Sequence, residues 1–561
     1  APTGDQGQIV AIAAGAANGA LSAQTTLADA TAAGRRAAIA MGREVGEPDL
    51  PVAASPEEKP LRPLWHMPEA AGPALREKMF LDFQHDVKVS DVELAAREGY
   101  ESVEHTKRYT TLGMATDQGK LSNINGLAIL AEALAAPIPA VGTTTFRPPY
   151  TPISFGAIAG EARGELFQPL RRTPMDGWHV EHGAHWEPVG QWRRPYTYPR
   201  KGEDHAASVA REIRSTRERV GVLDASTLGK IVVSGPDAGR FLDMIYTGLM
   251  SSLAVGKCRY GLICNENGFL IDDGVVARLS EDSFLVHTTT GGADRIHAHM
   301  EEWLQTEWWD WQVFTANVTE QFGQIAVVGP KARAVLEALG GIDVSREALP
   351  FMGWVEGELA GHPVRVYRIS FSGELSFEIA VPANRARALW DAVLAAGAEH
   401  GITPYGTEAL HVMRAEKGFI MIGDETDGTV IPQDLGLGWA ISRKKADYIG
   451  KRAQQRSFMD NPDRWQLVGL ETVDGSVLPE GALAPLGAEN ANRQRRVQGR
   501  VTSAYFSPTL DRGIALGLVH RGEDRRGEVI VFQGPTEDSP LVRTRIVNPV
   551  FLDVEGARQN V

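Results

Sequence analysis

The chain of 561 residues is long enough for roughly three to four domains, so a small single-module protein is excluded. Hydrophobic residues make up 43% and charged residues 23%, which excludes wholesale disorder and fibrous repeats. The formal net charge of −14 argues against nucleic-acid binding as the main function, because surfaces that bind phosphate backbones are predominantly basic.

The cysteine content and the length of the apolar runs indicate in which cellular compartment the protein is expected. Two cysteines, Cys258 and Cys264, are too few for a disulfide framework or a four-cysteine metal site and predict a reducing environment. Uninterrupted apolar runs stay below the roughly 18 residues of a membrane span, and the N-terminus lacks the basic region of a secretory signal. We therefore expect a cytoplasmic protein without a membrane partner. The first residue is not Met, which predicts that the chain begins inside a longer protein.

Residues 1–40 begin with an apolar segment, which leads through Gly15 and Gly19 into an Ala-rich helical pattern. A strand, a Gly-rich turn and a helix form one piece of a dinucleotide-binding fold, but the spacing is not GxGxxG, so the residues alone favour a plain packed helix. The Pro-rich and acidic residues 41–75 predict a linker.

Residues 76–140 predict a small helical module. Ser90 and Glu93 have the spacing of a capping box, Gly99 is placed to end that helix, and Asn123 precedes a second apolar helical pattern. Between the two helices, residues 105–113 predict a polar loop with two adjacent cations. These cations could hold an anionic cofactor or simply be solvated.

Residues 141–205 are rich in Pro, Trp, Arg and His and predict an irregular segment that wraps other elements. His179, His182 and His185 are spaced three apart, as in some metal sites. Gly183 interrupts a helix there and no carboxylate or thiol completes the set, so we expect packed histidines and no metal.

Regular patterns begin at residue 206 and predict mixed helices and strands up to residue 460. A helix is expected over 206–219, and apolar strands at 259–264 and 269–278 flank the Asn-Gly turn of a β-hairpin. Residues 461–561 show only short strands and turns and predict a small C-terminal β-barrel or sandwich, of which we expect the barrel. The fold class is therefore α+β and multidomain.

Two carboxylate positions carry the candidate chemistry. Asp272 and Asp273 interrupt an apolar strand, so one of them must face inward; it either transfers a proton or grips an amine, or else satisfies nearby backbone amides. Glu378 interrupts another strand, and its two oxygens match adjacent N–H donors of a flat heterocycle. Tyr260 offers a stacking face or a hydroxyl.

A third cluster, Arg414, Glu416 and Lys417, follows a predicted helix and has the pattern of a salt-bridged surface.

The order and spacing of motifs within residues 205–555 resemble the folate-dependent aminomethyltransferase fold of the glycine-cleavage T-protein. The matching motifs are Gly221-Val-Leu-Asp224-Ala-Ser-Thr, Gly235-Pro-Asp-Ala, Tyr260-Gly-Leu, Asn265-Glu-Asn-Gly268, Gly373-Glu-x-x-Phe-Glu378, Arg414-Ala-Glu416 and, in the final barrel, Val501-Thr-Ser-x-x-Phe-Ser507-Pro-Thr-Leu. Upstream, three further motifs resemble the alpha subunits of heterotetrameric sarcosine oxidases: Phe80-Leu-Asp82-Phe-Gln-His-Asp86, Val103-Glu-His105-x-Lys107-Arg108-Tyr109 and Thr145-Phe-Arg147-Pro-Pro-Tyr150.

This resemblance implies a flavin-dependent complex with beta, gamma and delta subunits that oxidises sarcosine to glycine and yields H₂O₂. The methyl carbon leaves as formaldehyde or is captured by tetrahydrofolate as 5,10-methylenetetrahydrofolate. FAD and FMN are expected mainly on the beta subunit, and the folate site on this chain. The module at 76–140 resembles a ferredoxin-like unit without cysteines. Residues 1–40 resemble the remnant of a NAD-binding domain, so NAD is expected only where the rest of that domain is present.

Carried over by position, the resemblance makes Asp272 the catalytic aspartate beside the folate nitrogens, with its neighbour Asp273 left open. Glu378 matches the glutamate that grips the pterin, and Tyr260 matches an aromatic lining position. Leu410 occupies the position at which the T-protein has an arginine that contacts the glutamate tail of folate.

Arg443, Lys444 and Lys445 are the candidate replacements for that arginine, and the alternative is that they form only a solvated run of charges.

Two other functions remain open at this stage. One is a free-standing aminomethyltransferase acting on a carrier-bound methylamine, which would not co-purify with a yellow flavin complex. The other is a non-catalytic folate-binding or scaffold subunit, for which Asp272→Asn would leave turnover intact.

Overall fold

A computed structural model describes residues 11–54, 62–536 and 538–561. The chain divides into two compact units, Ala1–Gly160 and Glu161–Val561. Among the described residues, no helix is both long and apolar enough to cross a membrane.

The first unit contains mainly helices around a small apolar core. Its helices and strands are α1 (Ala23–Ala40), α2 (Pro73–Arg76), β1 (Phe80–Asp82), β2 (Val87–Lys88), α3 (Val89–Arg97), α4 (Val103–Thr110), α5 (Asn123–Ala133) and α6 (Phe155–Ala159). Helix α1 confirms the Ala-rich helix, and the Ser22 hydroxyl accepts the backbone N–H of Thr25 at its start. The strand expected before Gly15 is absent from residues 11–14, and the part of that prediction before residue 11 lies outside the described residues.

Two local predictions in this unit are wrong. Helix α3 begins at Val89, before the expected capping box, because the Asp91 carboxylate accepts the backbone N–H of Lys88 at 2.8 Å. The expected polar loop is largely helix α4, whose inner face buries Val103 and Thr106. The sequence of α4 is mostly polar, and its apolar stripe is too narrow to predict a helix from periodicity.

The second unit contains the remaining regular elements. Its helices are α7 (Asp176–Glu181), α8 (His205–Glu218), α9 (Ala238–Ile245), α10 (Ala293–Thr306), α11 (Ala332–Leu339), α12 (Ala383–Gly397), α13 (Thr407–Glu416) and α14 (Lys451–Gln454). Its strands are β3 (His185–Val189), β4 (Trp192–Thr197), β5 (Gly221–Asp224), β6 (Gly229–Ser234), β7 (Cys258–Cys264), β8 (Leu270–Arg278), β9 (Ser283–Thr288), β10 (Phe314–Asn317), β11 (Phe322–Val328), β12 (Trp354–Leu359), β13 (His362–Tyr367), β14 (Ser376–Pro382), β15 (Thr403–Pro404), β16 (Trp465–Thr472), β17 (Leu483–Leu486), β18 (Arg496–Ser507), β19 (Arg512–His520), β20 (Val529–Gln533) and β21 (Leu541–Val547).

Two sheets with covering helices form the centre of this unit. One sheet has the order β10-β6-β9-β8-β7 and the other the order β12-β13-β14-β11-β5-β15. Strands β7 and β8 are antiparallel, with Leu262 opposite Asp273, which confirms the hairpin predicted from the Asn-Gly turn. One buried apolar cluster joins the two sheets through Cys258 and Leu285 on one side and Tyr367 and Ala380 on the other.

The last six strands close into a barrel in the order β16-β19-β18-β17-β20-β21. Its interior buries a cluster of apolar side chains, including Val468, Val501 and Phe532. The predicted α+β class with a C-terminal barrel is therefore confirmed.

The segment at 141–205, predicted to be irregular, contains helix α7 and the β3–β4 hairpin. Aromatic side chains order this segment without an apolar periodicity in its sequence. The indole of Trp178 stacks on the imidazole of His182, with 3.7 Å between the ring centroids. His179 lies fully buried, with Nε2 2.9 Å from the Asp224 carboxylate and Nδ1 3.0 Å from the Tyr198 hydroxyl.

Candidate functional site

A cavity of about 1290 Å³ lies in the second unit, lined by both sheets, helix α13 and the segment that follows it. Tyr260 and Asp273 reach it from the β7–β8 hairpin, and Glu378 reaches it from β14 of the other sheet. Three of the four side chains predicted from the sequence thus meet at one cavity. The fourth, Asp272, is not among the residues that line it.

Tyr260 and Asp273 form a hydrogen-bonded pair at the cavity wall. The Tyr260 hydroxyl donates to Asp273 Oδ2 at 2.6 Å. Burial raises the pKa of Asp273 to about 7, and the hydrogen bond from Tyr260 opposes that rise. The indole of Trp439, which is 70% exposed, stacks near the Tyr260 ring at a centroid distance of 6.0 Å. The pair therefore presents a carboxyl that can change its protonation state near neutral pH.

Asp272 faces the other side of β8, as strand alternation requires. Its carboxylate accepts the Thr289 hydroxyl at 3.2 Å, the Thr289 backbone N–H at 3.3 Å and the Asp273 backbone N–H at 2.9 Å. A methyl group added at Gly292 would collide with Asp272 Oδ2. Asp272 thus fits the alternative left open by the sequence, a buried carboxylate that satisfies neighbouring amides.

Glu378 is the acidic group on the opposite wall. Its Oε2 accepts a hydrogen bond from the Gln324 amide, and burial raises the pKa of Glu378 to about 6. The buried ammonium of Lys230 acts in the opposite sense on this pKa and itself donates to the carbonyls of Ser226 at 3.0 Å and Leu228 at 2.7 Å. The carboxylate consequently keeps an oxygen for a ligand that brings N–H donors.

His287 on β9 also lines the cavity and was missed by the sequence analysis. It lies directly across from Lys230 in the β6–β9 pair. Its Nδ1 is 3.1 Å from the Val275 carbonyl oxygen, whereas Nε2 has no hydrogen-bond partner within the described structure. The available signal in the sequence was a histidine that directly follows the apolar run 284–286 within a strand.

The charged cluster at the end of α13 forms ion pairs, as its pattern predicts, but the cluster is buried and does not lie on the surface. Arg414 pairs with Asp424 at 2.9 Å and Glu425 at 2.7 Å, while Glu416 pairs with Arg217 at 2.6 Å. These pairs fix the helix that carries the cavity residues Thr407, Leu410 and His411.

Lys417 also lines the cavity, and its ammonium lies 3.3 Å from Asp553.

Arg443, Lys444 and Lys445 were predicted either to hold a folate glutamate tail or to be a solvated run. The buried Lys445 ammonium donates to the carbonyls of Tyr246 and Gly248. None of these three cations is among the described residues that line the cavity. The cations that do line it are Arg194, Arg259, Arg295, Lys417 and Arg526.

Comparisons with known proteins agree with this architecture. Residues 175–445 match the GCVT N-terminal domain, residues 466–553 match the glycine cleavage T-protein C-terminal barrel domain, and residues 76–161 match the sarcosine oxidase A3 domain. The aminomethyltransferase of Symbiobacterium thermophilum is 34% identical over 64% of this chain and 93% of its own length. The chain belongs to the aminomethyltransferase family.

Two further relatives define the similarity more closely. The sarcosine oxidase subunit alpha of Corynebacterium sp. (strain U-96) is 46% identical over 98% of this chain and 57% of its own length. The chain therefore spans little more than half the length of that relative. The crystal structure of the glycine cleavage system aminomethyltransferase T from Bartonella henselae covers 68% of this chain and 98% of its own, with a TM-score of 0.59 and 27% identity.

Proposed function

We propose that this chain is the folate-binding part of a sarcosine oxidase alpha subunit. In this proposal, sarcosine is oxidised to glycine with formation of H₂O₂, and the methyl carbon leaves as formaldehyde or is captured as 5,10-methylenetetrahydrofolate. Binding inside a cavity favours capture, because water would otherwise release the reactive one-carbon unit.

The observation that carries the proposal is the set of acceptors in the cavity. A tetrahydropterin ring presents several N–H donors on its edges, and Glu378 meets such an edge with a carboxylate that Gln324 holds in place. The volume of about 1290 Å³ exceeds the roughly 300–1,000 Å³ of usual ligand pockets, which suits a ligand with a heterocycle, a benzoyl group and a glutamate tail.

The geometry favours Asp273 over Asp272 as the acid–base group. Asp273 lines the cavity and has one hydroxyl donor, Tyr260, whereas Asp272 is engaged by Thr289 on the far side of the strand. We therefore assign to Asp273 the role of taking a proton from the reacting amine, and to Tyr260 that of holding the carboxylate in place. Asp272 supports the backbone at Thr289, where β9 ends.

The rest of the reaction belongs to partner subunits in this proposal. FAD and FMN are assigned mainly to a beta subunit, which supplies oxidation of the amine, and gamma and delta subunits complete a heterotetramer. Support comes from the 46% identity to a sarcosine oxidase alpha subunit over 98% of this chain. NAD is assigned to this protein only where a complete dinucleotide-binding domain accompanies it.

The second candidate function is a free-standing aminomethyltransferase. It is favoured by the 93% coverage of the Symbiobacterium thermophilum aminomethyltransferase, but that enzyme's match leaves about a third of this chain without a counterpart. The match of residues 76–161 to the sarcosine oxidase A3 domain favours the first candidate. A yellow, flavin-containing complex that co-purifies with the chain would support the first candidate, and a colourless monomer the second.

The direct test measures how the methyl carbon of sarcosine is partitioned by the co-purified complex. With tetrahydrofolate present, the wild type should yield 5,10-methylenetetrahydrofolate in place of formaldehyde, and Glu378→Gln should restore formaldehyde at an unchanged rate of sarcosine consumption. Glu356→Gln, an exposed change on β12 of the same sheet, serves as the control. Equal methylenetetrahydrofolate yields for all three proteins would contradict the proposal.

A further inference from the structure

His287 is a buried polar side chain that the proposed mechanism does not use. It is 5% exposed, lines the cavity from β9, and packs its ring edge to face against Tyr367 at a centroid distance of 5.1 Å. Tyr367 lies directly across from Glu378 in the β13–β14 pair. His287 therefore reaches the cavity from one sheet close to the point where Glu378 reaches it from the other.

The hydrogen bonds of the ring define its tautomer. The Val275 carbonyl can only accept, so the contact at 3.1 Å places the proton on Nδ1 and leaves Nε2 as a bare acceptor. Burial, reinforced by the nearby charge of Lys230, lowers the pKa of His287 to about 4, which keeps the imidazole neutral under physiological conditions. Nε2 is thus ready to accept a hydrogen bond.

That acceptor has no partner in the described structure. Its cross-strand neighbour Lys230 directs its ammonium to the carbonyls of Ser226 and Leu228. Leaving a buried acceptor unpaired is costly, and buried polar atoms are nearly always satisfied by protein, water or ligand. A donor arriving in the cavity would remove that cost.

We propose that His287 accepts, through Nε2, a hydrogen bond from an N–H group of the pterin bound in this cavity. The assignment rests on the proposed folate function and deepens it. Glu378 and His287 then form a pair of acceptors, one from each sheet, which selects a flat ring with donors on more than one edge. A ring that presents acceptors at these positions would be rejected, because acceptors would face acceptors.

The test combines calorimetry with nitrogen NMR on the full chain, using tetrahydrofolate under anaerobic conditions. His287→Phe keeps the ring packing against Tyr367 but removes the acceptor, and should weaken binding about tenfold, which corresponds to about 1.4 kcal/mol. His287→Gln keeps an acceptor and should bind within about threefold of the wild type, since a retained hydrogen bond preserves most of its contribution. His299→Phe is the control, because His299 also has a buried, unpartnered Nε2 and is not among the cavity residues.

The NMR measurement follows the hydrogen bond at Nε2 of His287 in the wild-type protein. In ¹⁵N-histidine-labelled wild type, the Nε2 resonance that disappears in His287→Gln should move upfield when tetrahydrofolate is added, while Nδ1 stays protonated. Binding that is unchanged in His287→Phe, or an Nε2 resonance that does not move on saturation, would overturn the assignment and leave the folate function standing. Absence of tetrahydrofolate binding to the wild type would overturn both.

Discussion

At the residue scale, two adjacent aspartates occupy different chemical environments. Asp273 lines the cavity and accepts a hydrogen bond from the Tyr260 hydroxyl. Asp272 lies on the other face of β8 and accepts a hydrogen bond from the Thr289 hydroxyl. Sequence patterning correctly indicated that one carboxylate of the pair must face inward. It could not show which of the two faces the cavity, because β8 is at least half-buried on both faces and neither face is marked by exposed polar residues.

Replacing each aspartate by asparagine separates their roles. Asp273→Asn should lower the rate of methylene transfer to tetrahydrofolate by about 10²- to 10⁴-fold, the usual contribution of a general acid–base group. Asp272→Asn should retain transfer within about tenfold and instead lower the free energy of unfolding by about 1–3 kcal/mol, because a buried hydrogen-bond network is disturbed. Transfer rates and urea unfolding measure the two effects, and the reverse ranking of rates would restore Asp272 as the catalytic group.

The Tyr260–Asp273 pair also predicts a pH dependence. Transfer needs the Asp273 carboxylate, so its rate should rise with pH around a midpoint near the Asp273 pKa of about 7. Tyr260→Phe removes the hydrogen bond that lowers this pKa, so the midpoint should move upward by about one pH unit. Rate–pH profiles test this, with Asp273→Asn expected to be flat. A midpoint that stays in place in Tyr260→Phe would contradict the role of the pair.

The raised pKa of Asp273 has a thermodynamic consequence as well. Because the folded state raises this pKa from 3.8 to about 7, the folded chain binds the proton more tightly than the unfolded chain. The stabilisation from this group is complete below about pH 4 and is lost as pH rises through about 7. Wild type should therefore lose stability relative to Asp273→Asn over that window, by about 1.4 kcal/mol for each pH unit. Urea unfolding at several pH values measures the difference, and a constant difference would contradict the raised pKa.

At the element scale, helices and strands with strong turn residues or apolar periodicity were predicted correctly from the sequence, whereas elements rich in charged residues were not. The Asn-Gly hairpin, helix α8 and the barrel strands follow from turn residues and apolar periodicity. Helix α4 was missed because its polar sequence leaves only a narrow apolar stripe, and the end of α13 was misjudged because Glu416 pairs with a residue distant in sequence. Arg217 and Glu416 are 199 residues apart, and local patterning gives no access to such a pair.

The ion pairs of α13 are buried, so breaking one of them should lower the free energy of unfolding more than breaking an exposed ion pair. Arg217→Met should lower the free energy of unfolding by about 3–5 kcal/mol, because Glu374 and Glu416 lose their buried partner. The exposed pair of Arg387 and Asp391 provides the control, and Asp391→Ala should change stability by less than about 0.5 kcal/mol. Urea unfolding followed by tryptophan fluorescence measures both. Equal effects would show that the α13 pairs do not hold the cavity wall.

At the scale of the whole molecule, domain class and order were accessible from the sequence, and the cavity was not. Motif order indicated the α+β centre and the final barrel. The cavity itself arises where two sheets, α13 and residues 417–422 meet, and such long-range packing leaves no periodic signal. For the same reason, the position of the basic run 443–445 in the chain could not show which charges border the cavity.

Among the described residues, all those that line the cavity belong to the unit Glu161–Val561. Residues 161–561 expressed alone should therefore bind tetrahydrofolate within about twofold of the full chain, because no contact to the ligand is lost. Calorimetry on the two proteins checks this expectation, with circular dichroism as the control for folding. A folded 161–561 fragment without binding would show that the site needs residues 1–160.

The central claim is that Glu378 holds a pterin in this cavity. Calorimetric titration of the 561-residue chain with tetrahydrofolate tests it most directly, comparing wild type with Glu378→Gln and with the exposed control Glu356→Gln. We predict that wild type and Glu356→Gln bind tetrahydrofolate and that Glu378→Gln loses about tenfold to a hundredfold in affinity, since hydrogen bonds to a charged group contribute about 1.5–3 kcal/mol. Equal affinities for all three proteins would contradict it.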